Sequence, residues 1–116
     1  MKVLILSIGD WANLGYELSR VLNSLPDYEA KAVTIVPHMF QYSPAGEGAS
    51  YSQCYELMEW ADIIVAKDEE ILYGQNTTLS FPRRKTIPWH VGSMFRIHGQ
   101  QFLENEINRF PAVIIS

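Results

Sequence analysis

The sequence predicts an α/β fold, in which one parallel sheet lies between two layers of helices. Short apolar runs, each ended by glycine, proline or polar residues, alternate with segments whose apolar residues recur at helical spacing. Aliphatic runs without polar alternation are typical of strands that are buried on both faces. The chain has 116 residues, 47% of them hydrophobic and 19% charged, which suits a single domain, 1–116, with one core.

The first strand and the first helix follow directly from the N-terminus. Residues 2–8 are a continuous apolar run that stops at Gly9, and they predict a buried strand. A helix follows and ends at Pro26, and its predicted inward face consists of Leu14, Leu18, Val21, Leu22 and Leu25. Residues 30–36, which Pro37 ends, predict the second strand.

The middle of the chain contains a loop, a helix and a short strand. Residues 42–48 are rich in turn formers and predict a loop. The spacing of apolar residues then predicts a helix over 51–61 and a third strand over 62–66. Residues 67–84 give weaker signals, and we expect a short helical turn at 69–73 within a loop.

The last third of the chain predicts a strand, a helix and a strand. Residues 86–90 form the fourth strand and 112–115 the fifth, and Pro111 separates the fifth strand from the helix before it. That helix covers 94–110, and its inward residues are Phe95, Phe102, Leu103, Ile107 and Phe110. Right-handed crossovers then give a three-layer α/β/α sandwich with a five-stranded parallel sheet, Rossmann-like, in the order 3-2-1-4-5. Because the chain ends directly after a strand, we expect a fragment or a minimal unit.

Composition excludes several functions. The net charge of −4 gives no basic surface for nucleic acid. The basic cluster Arg83-Arg84-Lys85 is interpreted as a solvated turn, with a phosphate site as the alternative. No apolar run approaches the length of about 18 residues that a membrane span needs. The first apolar run, Val3-Leu4-Ile5-Leu6, is too short and ends too abruptly for a signal peptide, so none is expected. With Cys54 as the sole cysteine, a reducing, cytoplasmic setting is expected. The three histidines lack metal-ligand spacing, so neither a metal nor a bound cofactor is predicted.

The loops that follow parallel strands should border one cleft, where open α/β sheets bind ligands. In the first loop, Asp10 or Asn13 either caps the following helix or hydrogen-bonds a polar ligand. This loop lacks the G-x-G-x-x-G spacing of a dinucleotide site and the lysine of a P-loop. Asp10 also brings negative charge to the helix N-terminus, where a phosphate would otherwise bind. A pyrophosphate is therefore not expected in this loop.

A second group of candidate residues follows the fourth strand. Gly92, Ser93 and Arg96 form either an anion or hydroxyl site, or a plain turn in which Arg96 pairs with a surface carboxylate. His90 is either a general base or hydrogen-bond donor in the cleft, or a structural residue. The catalytic residues are otherwise undetermined, with His90 and Asp10 as the candidates.

Three segments resemble the N-terminal Rossmann-like domain of two-domain (GT-B type) glycosyltransferases, which bacteria and phages often encode. They are residues 9–18, 60–65 and 90–96, the last similar to the family's H-G-S-x-x-R turn. Val91 replaces the histidine that usually precedes the glycine, and Met94 replaces a frequent acidic residue. The resemblance implies that the acceptor side of a cleft is formed by Asp10, Asn13, His90, Gly92, Ser93 and Arg96.

The same resemblance implies sugar transfer from a nucleotide-sugar to a hydroxyl of a small polar ligand. The nucleotide-sugar would be a co-substrate only where a C-terminal domain exists, so this chain is expected to be inactive alone. A C-terminal domain or a homo-oligomer would cover aromatic and apolar residues near the cleft rim, with ordinary packing as the alternative: Trp11, Met39, Phe40, Tyr42 and Trp89. The alternative function is a non-catalytic α/β binding or interaction module, also compatible with a phage origin.

Overall fold

Apolar segments form a parallel sheet in the computed structural model of this chain. Its four main strands are β1 (Lys2–Ser7), β2 (Glu29–Thr34), β3 (Ile63–Lys67) and β4 (Thr86–His90), and a two-residue strand, β5 (Ile114–Ile115), pairs with β4. The helices are α1 (Leu14–Asn23) and α2 (Tyr51–Trp60). The structure describes residues 1–10, 13–37, 48–67, 71–72, 79–90, 100–101, 104–106 and 109–115. The predicted α/β class with a parallel sheet is confirmed.

The strand order is β2-β1-β3-β4-β5, and every pair is parallel. The predicted order 3-2-1-4-5 is therefore wrong, because β3 pairs with β1, with Leu4 opposite Ile64, and not with the outer edge of β2. Burial explains the difference. Four of the five residues of β3 are buried, whereas β2 exposes Glu29 and Lys31. An alternating, charged strand suits a sheet edge, and a strand whose residues are nearly all buried suits the interior.

The alternation of side chains along the strands divides the core into two faces. On one face, Leu4, Leu6, Ile64 and Ala66 pack with Cys54 and Met58 of α2. On the other, residues of β1 and β3 pack with α1, and this cluster includes Val3, Ile5, Val65, Leu18 and Leu22. We call these the α2 face and the α1 face. Each helix therefore covers its own side of the sheet.

The buried side of α1 is narrower than its sequence predicts. Leu18 and Leu22 pack on the core, but Leu14, Val21 and Leu25 are 40%, 59% and 44% exposed. The small residues Gly15 and Ser19 are buried instead. A Cβ atom at Gly15 would lie 3.1 Å from Cγ2 of Ile5, so the missing side chain lets this helix approach the sheet closely. The leucine spacing predicted the helix but not its orientation.

Side chains cap both ends of α2. Ser50 and Gln53 form a reciprocal capping box at its N-terminus. At its C-terminus, Nζ of Lys85 donates hydrogen bonds to the carbonyl oxygens of Met58 and Ala61, the latter at 2.8 Å. Lys85 is thus not fully solvated as the sequence predicted, whereas Arg83 and Arg84 are exposed.

Further predictions are tested only in part. Residues 100–101 and 104–106 are helical, within the predicted helix 94–110, and residues 71–72 are helical, within the predicted turn 69–73. The predicted inward residues Phe95, Phe102, Leu103 and Ile107 lie outside the described residues. Among the helices that the structure describes, none combines the length and apolarity of a membrane span.

Candidate functional site

Three neighbouring strands end in buried polar residues on the α1 face. Thr34 ends β2, Ser7 ends β1 and Lys67 ends β3, and each is 2% exposed. Ser7 pairs with Thr34 in register, and Lys67 comes one residue after the Leu6–Ala66 pair. Side chains on one face of a strand recur every second residue. Each of the three polar residues comes two positions after a residue of the α1-face cluster, which is Ile5, Ala32 or Val65, and therefore lies on the α1 face. The order β2-β1-β3 therefore places a buried polar row, Thr34, Ser7 and Lys67, at the carboxyl edge of the sheet.

Asp10 connects this row to the N-terminus of α1. Its Oδ1 accepts a hydrogen bond from the backbone N–H of Gly15 at 2.9 Å, and its Oδ2 accepts one from Tyr16 at 3.1 Å. The same carboxylate lies 3.4 Å from Nζ of Lys67, and both side chains are almost fully buried. Of the two alternatives for Asp10, the structure thus places it in a helix-capping role, with Lys67 as its ion-pair partner.

The absence of a side chain at Gly15 makes this arrangement possible. A Cβ atom there would lie 3.2 Å from both carboxylate oxygens of Asp10. The Asp10 carboxylate consequently occupies the helix N-terminus, where a bound phosphate would accept the same N–H groups. The position of this carboxylate is the one that the sequence argument assumed when it placed negative charge at the N-terminus of the helix. The carboxylate also holds the Lys67 ammonium group at the end of β3.

Asn13 occupies the N-cap position of α1, but its side chain makes no capping hydrogen bond. Its φ of 58° is left-handed, a conformation that asparagine tolerates better than most residues, and Asp10 has a φ of 49°. The N–H of Asn13 donates to the carbonyl oxygen of Asp10 at 2.7 Å. Its Oδ1 is buried and accepts no hydrogen bond within the described part of the chain. Such unpaired buried acceptors are uncommon, and a ligand O–H or N–H group would satisfy this one.

His90 ends β4 on the α2 face and forms a second buried pair. Its Nε2 lies 2.6 Å from Oε1 and 3.0 Å from Oε2 of Glu106, and the two side chains are 1% and 0% exposed. The face on which His90 lies follows from the strand register. Pro88 pairs with Ala66, which belongs to the α2-face cluster, and His90 comes two residues after Pro88 and so lies on the same face. The two candidate catalytic residues, Asp10 and His90, therefore lie on opposite faces of the sheet.

Glu106 was missed by the sequence reasoning, although the sequence contains a signal for it. It lies four residues after Phe102 and four before Phe110, on the predicted inward face of helix 94–110. Glutamate is almost never fully buried unless it is paired. A carboxylate on an inward stripe therefore indicates a buried partner, and His90 is that partner.

Gly92, Ser93 and Arg96 lie outside the described residues, as do Trp11, Met39, Phe40 and Tyr42. The structure thus brings Asp10 and Asn13 together, adds Lys67 and Glu106, and separates His90 from the first loop. Within the described ranges, no group of three or more His, Cys, Asp or Glu side chains could hold a metal ion. Comparisons with protein-family models, curated proteins and solved structures find no match to this chain.

Proposed function

We propose that this chain is the N-terminal, acceptor-side domain of a two-domain glycosyltransferase and that it does not transfer sugar by itself. The topology is compatible with this proposal but not specific to it. The observed order 2-1-3-4-5 is the flavodoxin-like order, and it differs from the Rossmann order 3-2-1-4-5-6 by the omission of one outer strand. In both orders the first strand lies between the second strand and the strand that follows the long crossover. The ligand-binding crevice thus falls at the same place.

That crevice lies outside the carboxyl ends of β1 and β3. The chain leaves β1 toward the α1 face, whereas Ile71, after β3, packs in the α2-face cluster. Neighbouring connections that diverge in this way open a crevice between them, and doubly wound folds bind ligands there. Asn13 follows β1, and the Asp10–Lys67 pair connects the first loop to the end of β3.

The unpaired, buried Oδ1 of Asn13 is the observation that carries the proposal. An acceptor substrate rich in hydroxyl groups supplies the O–H donor that this oxygen lacks. In the reaction, the acceptor oxygen would bond to the anomeric carbon of the donor sugar, the bond to the nucleotide phosphate would break, and a base would take the hydroxyl proton. The Asp10 carboxylate already accepts two N–H groups and contacts Lys67, so we assign it to positioning and not to proton transfer. The nucleotide-sugar is assigned to a second domain.

His90, the other candidate base, lies on the opposite face of the sheet from α1 and the first loop and is 1% exposed. Its imidazole is paired with Glu106 and does not face the proposed acceptor site, so we assign no catalytic base to the described residues of this chain. The same pair also favours a second candidate function. Both members are buried and matched to each other, so they can hold β4 against the helical segment without any substrate. That observation favours a non-catalytic binding module, in which the ligand contacts Asn13 and no proton is moved.

Calorimetry on this chain with nucleotide-sugars, nucleotides and simple sugars tests the proposal. We expect weak, saturable binding of a simple sugar or glycoside, weaker binding of nucleotide-sugars and no transfer. Asn13→Gly should abolish sugar binding without loss of stability, because glycine adopts a positive φ freely. Asn13→Asp, which keeps an acceptor oxygen, is the matched control and should retain part of the binding.

Two results would argue against the proposal. Tight binding of a nucleotide-sugar to this chain alone would mean that the donor site lies within these residues. Sugar binding that Asn13→Gly leaves unchanged would move the ligand away from the first loop. Binding without transfer after a second α/β domain is supplied would favour the binding module.

A further inference from the structure

Strand β2 forms one edge of the sheet, with β1 as its neighbour on the other side. The N–H of Glu29 donates toward β1, to the carbonyl oxygen of Met1 at 2.9 Å. In a strand, the backbone groups of successive residues point to alternate sides, so the N–H and C=O of Ala30 point away from β1. An outward row of such groups is a template on which another strand can pair.

The side-chain amide of Asn23 occupies both outward backbone groups of Ala30. Its Oδ1 accepts the N–H of Ala30 at 2.7 Å, and its Nδ2 donates to the carbonyl oxygen of Ala30 at 2.9 Å. A residue of an antiparallel neighbouring strand would exchange the same two hydrogen bonds with Ala30. Asn23, the last residue of α1, therefore takes the place of a neighbouring strand at this position of the edge.

The charges of β2 select one register for pairing with a second copy of this chain. Glu29 and Lys31 are exposed and flank Ala30 in the sequence. In an antiparallel pair with two-fold symmetry centred on Ala30, Glu29 of each copy lies opposite Lys31 of the other, and opposite charges stabilise such cross-strand pairs. A centre at Lys31 would place two lysines opposite each other, and a centre at Ala32 would place Lys31 opposite Val33. Of these three registers, the one centred on Ala30 matches the charges.

The charge-matched register requires the two backbone groups that Asn23 occupies. Ala30 of each copy would form the hydrogen-bonded pair at the two-fold axis, and the Asn23 amide of each copy already bonds those groups. Two-fold dimers with a self-complementary surface are the commonest soluble oligomers, and β2 centred on Ala30 is self-complementary in charge. The Asn23 contact is therefore autoinhibitory, because the amide must leave before a second strand can pair.

We propose that Asn23 prevents self-association of this chain by closing the β2 edge. Loss of its amide gives a symmetric dimer, in which two copies of β2 pair antiparallel about Ala30 and the two sheets become continuous. The same amide also ties the end of α1 to β2. A loss of stability alone would follow from either role, so the oligomeric state is the property that tests the proposal.

Light scattering and analytical ultracentrifugation of the full chain measure dimerisation. Asn23→Ala should strengthen the dimer at least about tenfold relative to the parent, because two amides with two hydrogen bonds each no longer compete with the partner strand. Asn23→Ser, whose side chain is too short to bond both groups of Ala30, repeats the test; the position is exposed, so both variants should fold. Gln53→Ala is the matched control. It removes another exposed side chain that bonds the backbone, at the N-terminus of α2, and should leave the oligomeric state unchanged.

A charge exchange identifies the register of the dimer. Adding Lys31→Glu to Asn23→Ala places glutamates opposite each other at two positions and should weaken the dimer at least about tenfold. Adding Glu29→Lys as well restores both pairs of opposite charge and should recover most of that loss. Both multiple variants lack the contact of Lys31 with the Trp60 ring, so the comparison between them isolates the charge pairing.

Three results would overturn the proposal. In the first, Asn23→Ala and Asn23→Ser both associate no more strongly than the parent. In the second, Gln53→Ala dimerises as strongly as Asn23→Ala, which would assign the association to lost stability. In the third, the dimer of Asn23→Ala is insensitive to the charges at positions 29 and 31, which would place its interface elsewhere. None of these measurements involves a sugar, so their outcome is independent of the proposed function.

Discussion

Replacing Asp10 by alanine should destabilise the domain more than the loss of a helix cap alone. The carboxylate accepts N–H groups from Gly15 and Tyr16 and contacts Lys67, and it is almost fully buried. Loss of a capping side chain costs about 0.5–2 kcal/mol. Removal of one member of a buried ion pair costs about 3–5 kcal/mol, because the other charge stays desolvated.

The geometry places the expected cost at the lower end of that second range. The Asp10–Lys67 separation of 3.4 Å is longer than the 2.7–2.9 Å of a strong charge-assisted hydrogen bond. We therefore expect Asp10→Ala to lower the free energy of unfolding by about 3 kcal/mol. Asp10→Asn, which keeps one acceptor oxygen for the helix, should cost about 2 kcal/mol.

Urea unfolding of a double-mutant cycle isolates the ion pair. Asp10→Asn and Lys67→Met are made singly and together, and the double variant should lose less stability than the two single variants added together. A coupling of about 1–2 kcal/mol is expected for residues in direct contact. Strict additivity would show that the two charges do not stabilise each other, and the capping role of Asp10 would then stand alone.

Three further predictions concern single positions. Gly15→Ala should destabilise the fold by about 1–3 kcal/mol, because the new Cβ would crowd Ile5 and the Asp10 carboxylate. This cost should exceed the gain from the better helix propensity of alanine, and the urea concentration at the unfolding midpoint measures it. Lys85→Met should lower the free energy of unfolding by about 1–2 kcal/mol, because it removes the cap of α2. The control variant Arg84→Met, at an exposed position, should change it by less than about 0.5 kcal/mol. Equal effects of the two variants in urea unfolding would refute the capping role of Lys85. Burial raises the pKa of the Cys54 thiol, so the folded state keeps this proton to higher pH than the unfolded state. The stability from this group should be constant below about pH 8.5 and fall as the pH rises above it; urea unfolding of the parent and Cys54→Ala should show a steeper alkaline loss in the parent.

Local patterns in the sequence located most of the elements. The predicted strands 2–8, 30–36, 62–66, 86–90 and 112–115 agree with β1 to β5 within two residues at each end. This agreement has a local cause, because a continuous apolar run favours a buried strand and glycine or proline ends it wherever the strand later pairs. The capping alternative for Asp10 was also available from its position before α1.

Local sequence patterns did not predict the contacts between distant segments. An apolar run does not encode its neighbour, so the place of β3 beside β1 depended on the relative burial of β2 and β3. The orientation of α1 depended on the close approach of Gly15 to the sheet, which exposed three of its five predicted inward residues.

By itself, then, the sequence determined the α/β class, the positions of the strands and the grouping of polar residues at strand ends, because all of these follow from the order of residues along the chain. The tertiary structure decided which polar groups meet. Lys67 reaches Asp10 because β1 and β3 are neighbours, and Glu106 reaches His90 because the helical segment before β5 packs on the α2 face. Buried charges require partners, and the strand order and the faces covered by the helices select them.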